Sequence, residues 1–460
     1  MGYDVVIIGA GMSGLAAGIR LAYFDKKVCI VERHEIYGGL NSFYTLDGRA
    51  FDVGLHAVTN FAPPSERRAP LNKLLRQLRL TRDDFALRPQ LGSSVRFPDC
   101  TLRFNNDIQL LSSQVAEHFP AQADRFLELI EDVRSYDDTR LDPPLGSARE
   151  FIARRLTDAT LADMLLCPLT YYGSASEHDM DVTQFVILFK SILLEGMARP
   201  REGVRRIIRV LVKKYRACGG KFRMKCGVDR ILHDETRATE LLLSTGETIT
   251  ADKVLSSAGF VETMNMCQPR LQTAQAAKPG RLSFVESISV LDTRPAQLGI
   301  DTAIIFFNDA PTYTYARPDS LVDTASGVIC CPNNYEGHGD MEGTIRLTSL
   351  ANYDRWVELD EEAYRQAKQR CHERIVERVV GFLPDFRSHV VYTDMFTPRT
   401  IAKFTGHLAG AVYGTPTKIR DGRTPLENLF VCGTDQGYLG IIGALLSGVT
   451  MANMHVLDGP

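Results

Sequence analysis

A short apolar run, Val5 to Ile8, breaks into Gly9-Ala10-Gly11-Met12-Ser13-Gly14 and then into the small-residue stretch Leu15 to Leu21. Few features constrain a fold more, because each glycine answers a separate steric demand. The continuous apolar run marks a strand buried on both faces of a parallel sheet. Gly9 permits a tight turn, Gly11 lets backbone approach a pyrophosphate, and Gly14 lets the next helix lie close to the strand. That helix, opening at Met12 and Ser13, turns its N–H groups and positive dipole end toward phosphates. Such a triplet is weak alone. Here a second strand, Lys27 to Val31, ends at Glu32 about 20 residues after the glycines, where a carboxylate accepts from ribose hydroxyls. Glu32, with Arg33 beside it, is expected on the nucleotide. The competing reading is chance glycines in a loop and a plain surface acid.

At 460 residues the chain exceeds the roughly 250–300 at which single cores stop growing, so two or three subdomains are expected. A hydrophobic fraction of 44% and a charged fraction of 24% place it among ordinary globular proteins. A formal net charge of -3 supplies no field for nucleic acid, which is not expected as a partner. The ten cysteines are scattered, with no Cys-x-x-Cys pair and no zinc spacing, so no metal site is expected. Reduced, mostly buried thiols point to the cytoplasm. Met1-Gly2-Tyr3 runs straight into the first strand without a basic n-region, so no signal peptide is expected. No uninterrupted apolar stretch of about 18 residues stands out, so no bilayer span is expected, while peripheral membrane contact stays open.

Beyond Glu32 comes Gly38-Gly39. Taken with Gly9 to Ala17 and Glu32, this pair resembles the extended FAD signature of the amine oxidase and phytoene desaturase superfamily. In such families the pair is usually followed by Arg-Ser or Arg-hydrophobic; here it is followed by Leu40-Asn41-Ser42. Phe51-Asp52-Val53-Gly54-Leu55-His56 is similar to the Phe-Asp-x-Gly-x-His segment of the retinol saturase and carotenoid isomerase branch. The resemblance implies that Gly39, Leu40, Asn41, Gly54 and His56 lie near FAD. His56 is a catalytic candidate, its alternative being a satisfied buried histidine.

Residues from about 64 to 215 read as mostly helical, with apolar periodicity in Leu71 to Leu80, Phe126 to Val133 and Phe185 to Met197. The Phe185 to Leu194 stretch is apolar on more than one face, fitting a lipophilic tunnel or a core helix. Basic clusters at Arg67 to Arg82 and Arg199 to Arg216 fit anionic-lipid docking or solvated helix faces. Strand patterns follow from Lys221 to Gly259, where the resemblance implies that backbone at Val228 holds adenine. Strands recur between 281 and 350, and a helix spans roughly Glu361 to Phe382, ended by Pro384. Phe404 and Tyr413 are candidates to face the flavin, or else core aromatics; Tyr413 is the second catalytic candidate.

Near the C-terminus, Asn428 to Asp435 reads as a strand ending in Gly433, followed by Gly437, Gly440, Gly443 and a small-residue helix. In the superfamily this strand ends in Gly-Asp or Gly-Glu; here Thr434 follows the glycine and Asp435 comes next. The helix starting at Gly440, Ile441 and Ile442 is expected to aim N–H groups at the flavin's N1–C2=O edge.

The chain thus resembles the FAD-dependent phytoene desaturase, carotenoid cis-trans isomerase and retinol saturase family. The expected fold is α/β, a Rossmann-like FAD-binding domain with a mixed β-sheet substrate domain and a helical subdomain. Residues 1–65, 200–280 and 415–460 are assigned to FAD, 66–199 to the helical subdomain and 281–414 to the β-rich domain. The expected function is FAD-dependent redox chemistry on C–C or C=C bonds of a hydrophobic isoprenoid, carotenoid-like or lipid substrate, with the electron partner open. The alternatives are an amine- or porphyrinogen-type flavin oxidase and a non-enzymatic prenyl-lipid binder of the GDP-dissociation-inhibitor type.

Overall fold

The computed structural model describes residues 2–271 and 278–458. Two sheets organise it. In the first, the strand Gly2–Ile8 lies parallel to Val28–Val31 on one side and to Thr248–Ser256 on the other. Lys221–Arg223 extends the sheet beyond Val28–Val31, and Leu429–Val431 runs parallel to the end of Thr248–Ser256. Buried on both faces, Val28–Val31 has no exposed position to spend on a polar residue. Thr248 and Ile249 pair antiparallel with Ala238–Leu243, which pairs with Val228–His233. Within the strand-rich stretch Lys221 to Gly259, the apolar and polar runs Thr248 to Thr250 and Val254 to Ser256 belong to a single element. They form one strand, Thr248–Ser256, buried at Ile249 and from Val254 to Ser256, with the charged Asp252 and Lys253 in mid-strand.

The second sheet has the strand order Val390–Phe396, Ser283–Leu291, Gly343–Ala351, Ser326–Cys330, Ile304–Asn308, Ser93–Phe97, Cys100–Phe104. It is antiparallel except where Ile304–Asn308 meets Ser93–Phe97. Alternation sets its two cores. Phe284, Ile304, Phe306 and Val328 face the helices Ala159–Gly173 and Val182–Phe189. Val285, Ile305, Phe307 and Ile329 face Trp356 and the helix Glu361–Val380.

Two strands of this sheet fall within 66–199, the segment expected to be helical. Ser93 to Phe97 and Cys100 to Phe104 form a hairpin around Pro98-Asp99, a period-two signal masked by the helical runs on either side. Phe185, Val186 and Phe189 are fully buried in core, so the apolar helix packs there rather than lining a tunnel.

The helix Gly440–Ala452 continues as a π-turn through Leu457, and this 18-residue stretch has a mean hydropathy of 1.5. By length and composition it could cross a membrane, against the sequence expectation. Ser447, Thr450 and Asn453 interrupt its apolar run. In the fold it is a packing partner of the helix Met12–Tyr23: a Cβ on Gly448 would stand 2.0 Å from the Ser13 carbonyl oxygen, so only glycine permits this approach.

Several basic side chains bind within the chain. Arg206 Nε donates to the Asp84 carbonyl at 2.6 Å, Lys214 Nζ to the Arg79 carbonyl at 3.1 Å, and Arg209 pairs with Glu202 at 2.8 Å.

Candidate functional site

The first sheet ends in a cleft of about 640 Å³ lined by Gly9, Gly11, Met12, Ser13, Glu32, Arg33, Gly39, Leu40, Asn41, Val228, Gly433, Thr434 and Asp435. Gly9 has φ +97° and Gly433 φ +95°, both left-handed conformations that disfavour a side chain. A Cβ on Gly14 would lie 2.1 Å from the Gly9 carbonyl oxygen, whereas one on Gly11 would meet nothing within 4 Å. Gly14 therefore serves the packing of strand and helix, and Gly11 keeps the cleft open. The Gly38 N–H donates to the Ala10 carbonyl at 2.9 Å, which ties the second glycine pair to the first turn.

Glu32 is buried at the adenosine end. Its Oε2 accepts from the Ala10 N–H at 2.7 Å and its Oε1 from the His34 N–H at 2.8 Å, leaving lone pairs for hydroxyls. Arg33 lines the cleft, yet its Nη2 donates to the Lys403 carbonyl at 2.9 Å. Its guanidinium thus holds the C-terminal end of the helix Pro398–Thr405. Phe404 is half-exposed and packs edge-on against His34, 5.2 Å between ring centres, so it sits at this outer end. Val228 lines the cleft near Gly227 and Ser244.

Gly433 is held by its N–H donating to Ser447 Oγ at 2.6 Å. Asp435 acts mainly as a brace: its Oδ2 accepts from the Phe260 N–H at 2.6 Å and its Oδ1 from the Thr415 N–H at 2.8 Å. Thr434 reaches both the cleft and the inner pocket. Neither helix that ends here, Met12–Tyr23 nor Gly440–Ala452, has a side-chain N-cap, so their first N–H groups remain available to a ligand. Ile442 is buried in the core, and only its backbone could serve the site.

Leu40, Asn41, Thr434 and Ala444 are shared with an inner pocket of about 150 Å³. Gly54, His56, Tyr171, Tyr172, Phe284, Val412, Tyr413, Gly440 and Ile441 are among its walls. Tyr413 lies in the pocket and donates its hydroxyl to the Tyr171 carbonyl. His56 Nε2 lies 3.2 Å from both oxygens of Glu286 and 3.0 Å from Thr348 Oγ1, which also donates to Glu286. Arg346 Nε donates to Glu286 at 2.5 Å, and its other nitrogens donate to the Leu55 and Val53 carbonyls at 2.9 and 2.8 Å. Arg199 donates to the Leu55 and His56 carbonyls at 2.6 and 2.9 Å and pairs with Asp52 at 2.6 Å. Two buried guanidinium groups therefore clamp the Asp52–His56 segment. Burial alone would raise the Glu286 carboxyl, but the charges of Arg346 and His56 bring it down to about 2. Glu286, Thr348 and Arg346 are not singled out by the sequence, and Arg199, read there as part of a basic cluster for lipid docking or a solvated face, is instead buried in this clamp. The first three stand on neighbouring sheet strands with no local motif.

The donor set fits FAD: two uncapped helix ends, a cradle open at Gly11, a carboxylate at the ribose position and an apolar inner pocket. Fold and site together define an FAD-dependent oxidoreductase. The chain belongs to the flavin containing amine oxidoreductase family, whose model matches residues 12–454. It is 22% identical to prolycopene isomerase 2, chloroplastic, of an Oncidium hybrid cultivar, covering 99% of this chain and 84% of that one. It is 23% identical to all-trans-retinol 13,14-reductase of Danio rerio, covering 98% and 85%. In structure it resembles an oxidoreductase from Methanosarcina mazei with a TM-score of 0.69 at 18% identity, covering 98% and 99%. These findings bear out the resemblance noted from Gly9, Glu32 and the Phe51–His56 segment, the α/β class and FAD as the cofactor. The non-enzymatic alternative gives way to an FAD-dependent enzyme.

Proposed function

We propose that the substrate is a hydrophobic isoprenoid, carotenoid-like or lipid molecule, altered at a C–C or C=C unit beside the cofactor. The observation that carries this reading is the wall of the inner pocket, where Tyr171, Phe284, Val328, Val412, Tyr413 and Leu439 surround a small volume. Such walls favour an apolar group and exclude water. At about 150 Å³ the enclosed volume falls below the usual range for ligand pockets and holds only a short section of a chain-like substrate. Relatives named for prolycopene, retinol and 4,4'-diaponeurosporene support the same substrate class.

Bound FAD supplies hydride acceptance or donation. The chain's residues position and insulate. Arg199 and Arg346 hold the backbone that carries His56, and Glu286 with Thr348 orients its ring, so that His56 is the group placed to hold or move a proton at Nε2. Amine oxidation on the same fold is less favoured. Glu286, the carboxylate lining the inner pocket, is already held by Arg346 and has no free charge for an ammonium group. A water-insoluble substrate also has to be collected, so cytoplasmic location with peripheral membrane contact forms part of the proposal.

The test is a visible spectrum of the purified protein, followed by anaerobic incubation with candidate polyenes read by product mass and chromatography. Flavin bands near ~450 nm are expected from a bound oxidised flavin. Loss of two hydrogens would identify a desaturase, gain of two a saturase, and a new isomer at constant mass an isomerase. Turnover of amines with no change in any polyene would overturn the substrate class.

A further inference from the structure

A cavity of about 320 Å³ opens behind Phe51 and Asp52, outside the site already described. Ile288, Val290, Thr344 and Arg346 form part of its lining, while Glu286 and Thr348 on the same strands line the inner pocket. The two spaces therefore share one face of the second sheet and are separated by the Arg346–Glu286 pair. None of the cavity's lining residues lines the FAD cleft.

Its charge is unusual. Five arginines line it (Arg49, Arg199, Arg201, Arg205 and Arg346) against two carboxylates, Asp52 and Glu342. Arg199 and Arg346 are committed to buried partners, Asp52 and Glu286. Arg49 pairs with Glu342, and Arg201 with Asp340, in exposed positions where an ion pair contributes little and exchanges readily. Among the described residues no carboxylate pairs with Arg205. Its Nη1 is buried without a hydrogen-bond partner, as is Nε of the almost fully buried Arg199. An orphaned buried guanidinium N–H is costly unless a ligand meets it. The helix Val204–Ala217 also begins here, at Gly203 with φ +68° and no side-chain cap. Its Val204 N–H donates to Asp52 at 3.1 Å, so that carboxylate is taken up by the helix start and Arg199 and does not offset the remaining arginines.

We propose that this cavity is a second anion site, binding the phosphate or diphosphate group of a ligand through Arg205, Arg201 and Arg49, with Phe51 and Ile288 as an apolar floor. A carboxylate would occupy one guanidinium fork. A tetrahedral phosphate presents oxygens in several directions, as arginines converging from separate strands and a helix start require. Occupancy would also be felt at the catalytic candidate, because Arg199 and Arg346 reach from the cavity wall to the carbonyls of Leu55 and His56. The inference is independent of which substrate the inner pocket takes.

The experiment uses FAD-loaded protein, so that the main phosphate cleft is already filled. Inorganic pyrophosphate is titrated in by calorimetry, and phosphatidylcholine vesicles with and without phosphatidic acid are tested by flotation. One saturable pyrophosphate site, weakened at least ~10-fold in Arg205→Gln with the flavin spectrum unchanged, is the expected result for loss of a charge-assisted contact. Arg201→Ala, at the exposed mouth, should weaken it too and decides the matter if Arg205→Gln does not fold. Binding of pyrophosphate identifies a soluble phosphate ligand, and capture only by phosphatidic acid vesicles identifies a lipid head group; each supports the site if the variants abolish it. No saturable binding to either probe, or binding that both variants leave intact, overturns it.

Discussion

Glu286 and His56, 230 residues apart in the chain, meet at 3.2 Å at the floor of the inner pocket, with Arg346 bound to the far side of the carboxylate. The histidine is thus oriented by a buried charge that is itself neutralised. This arrangement makes the pocket sensitive to changes that never touch substrate.

The first consequence concerns acid. The Glu286 carboxyl lies at about 2 in the fold against its ordinary 4.5, so its contribution is fully present above pH 4.5 and is lost as pH falls toward 2. The depression corresponds to roughly 3 kcal/mol. In Glu286→Gln this term is missing, so the difference in urea midpoint between wild type and variant should shrink between about pH 5 and pH 3. A difference that stays constant across that window would remove Glu286 from this role.

Arg199 is expected to act as a structural clamp. Arg199→Ala strands the buried Asp52 charge and removes one donor from each of the Leu55 and His56 carbonyls, which keep Arg346 and the Tyr335 hydroxyl, at a cost of about 3–5 kcal/mol in equilibrium unfolding. Arg199→Lys should restore only a minor part, because one ammonium cannot span three acceptors in the fork's geometry. Full rescue by lysine would mean that charge alone matters.

Two glycines of the first turn should separate. Gly14→Ala forces a Cβ against the Gly9 carbonyl and should lower the stability of the apoprotein as well as FAD content. Gly11→Ala meets no protein atom, so the apoprotein should melt as the wild type does while FAD binding weakens by at least ~10-fold. Equal melting losses in both variants would contradict the division of labour.

Glu195 predicts the opposite pH behaviour to Glu286. Its Oε2 accepts from Asn60 Nδ2 at 3.0 Å, and burial pushes its carboxyl up to about 7, with Glu66 and Asp138 adding to the rise and Asn60 and Lys190 opposing it. A raised value means stability present below pH 4.5 and lost as pH rises through 7. Glu195→Gln should match the wild type near pH 5 and exceed it at pH 8, by up to about 3 kcal/mol. Thermal unfolding at the two pH values checks the sign.

The cofactor end of the site was legible because its physics is local. Gly9, Gly11, Gly14 and Gly433 announce backbone demands within a few residues, and Glu32 follows at a spacing fixed by one strand–helix–strand unit. Asp435 and Arg33 line the cleft, but what they hold could not be read, since their partners Phe260, Thr415 and Lys403 are distant in sequence. The hairpin Phe43–Leu46 with Arg49–Asp52 and the strands Ser93–Phe97 and Cys100–Phe104 were missed, being too short to stand out from their surroundings. Glu286 was least visible of all. It sits in a nine-residue strand buried throughout, where a single acid looks like an exception until Arg346 and His56 arrive from elsewhere.

The close seating of Gly448 against Ser13 also sets an order of events during synthesis. Arg20 and Asn453, which hydrogen-bond at 2.8 Å along the same pair of helices, are 433 residues apart. A nascent chain emerging N-terminus first carries its phosphate turn through the synthesis of those 433 residues before the helix that closes the cleft can dock on it. The cleft is therefore complete only once the helix Gly440–Ala452 has been made and has docked on Met12–Tyr23.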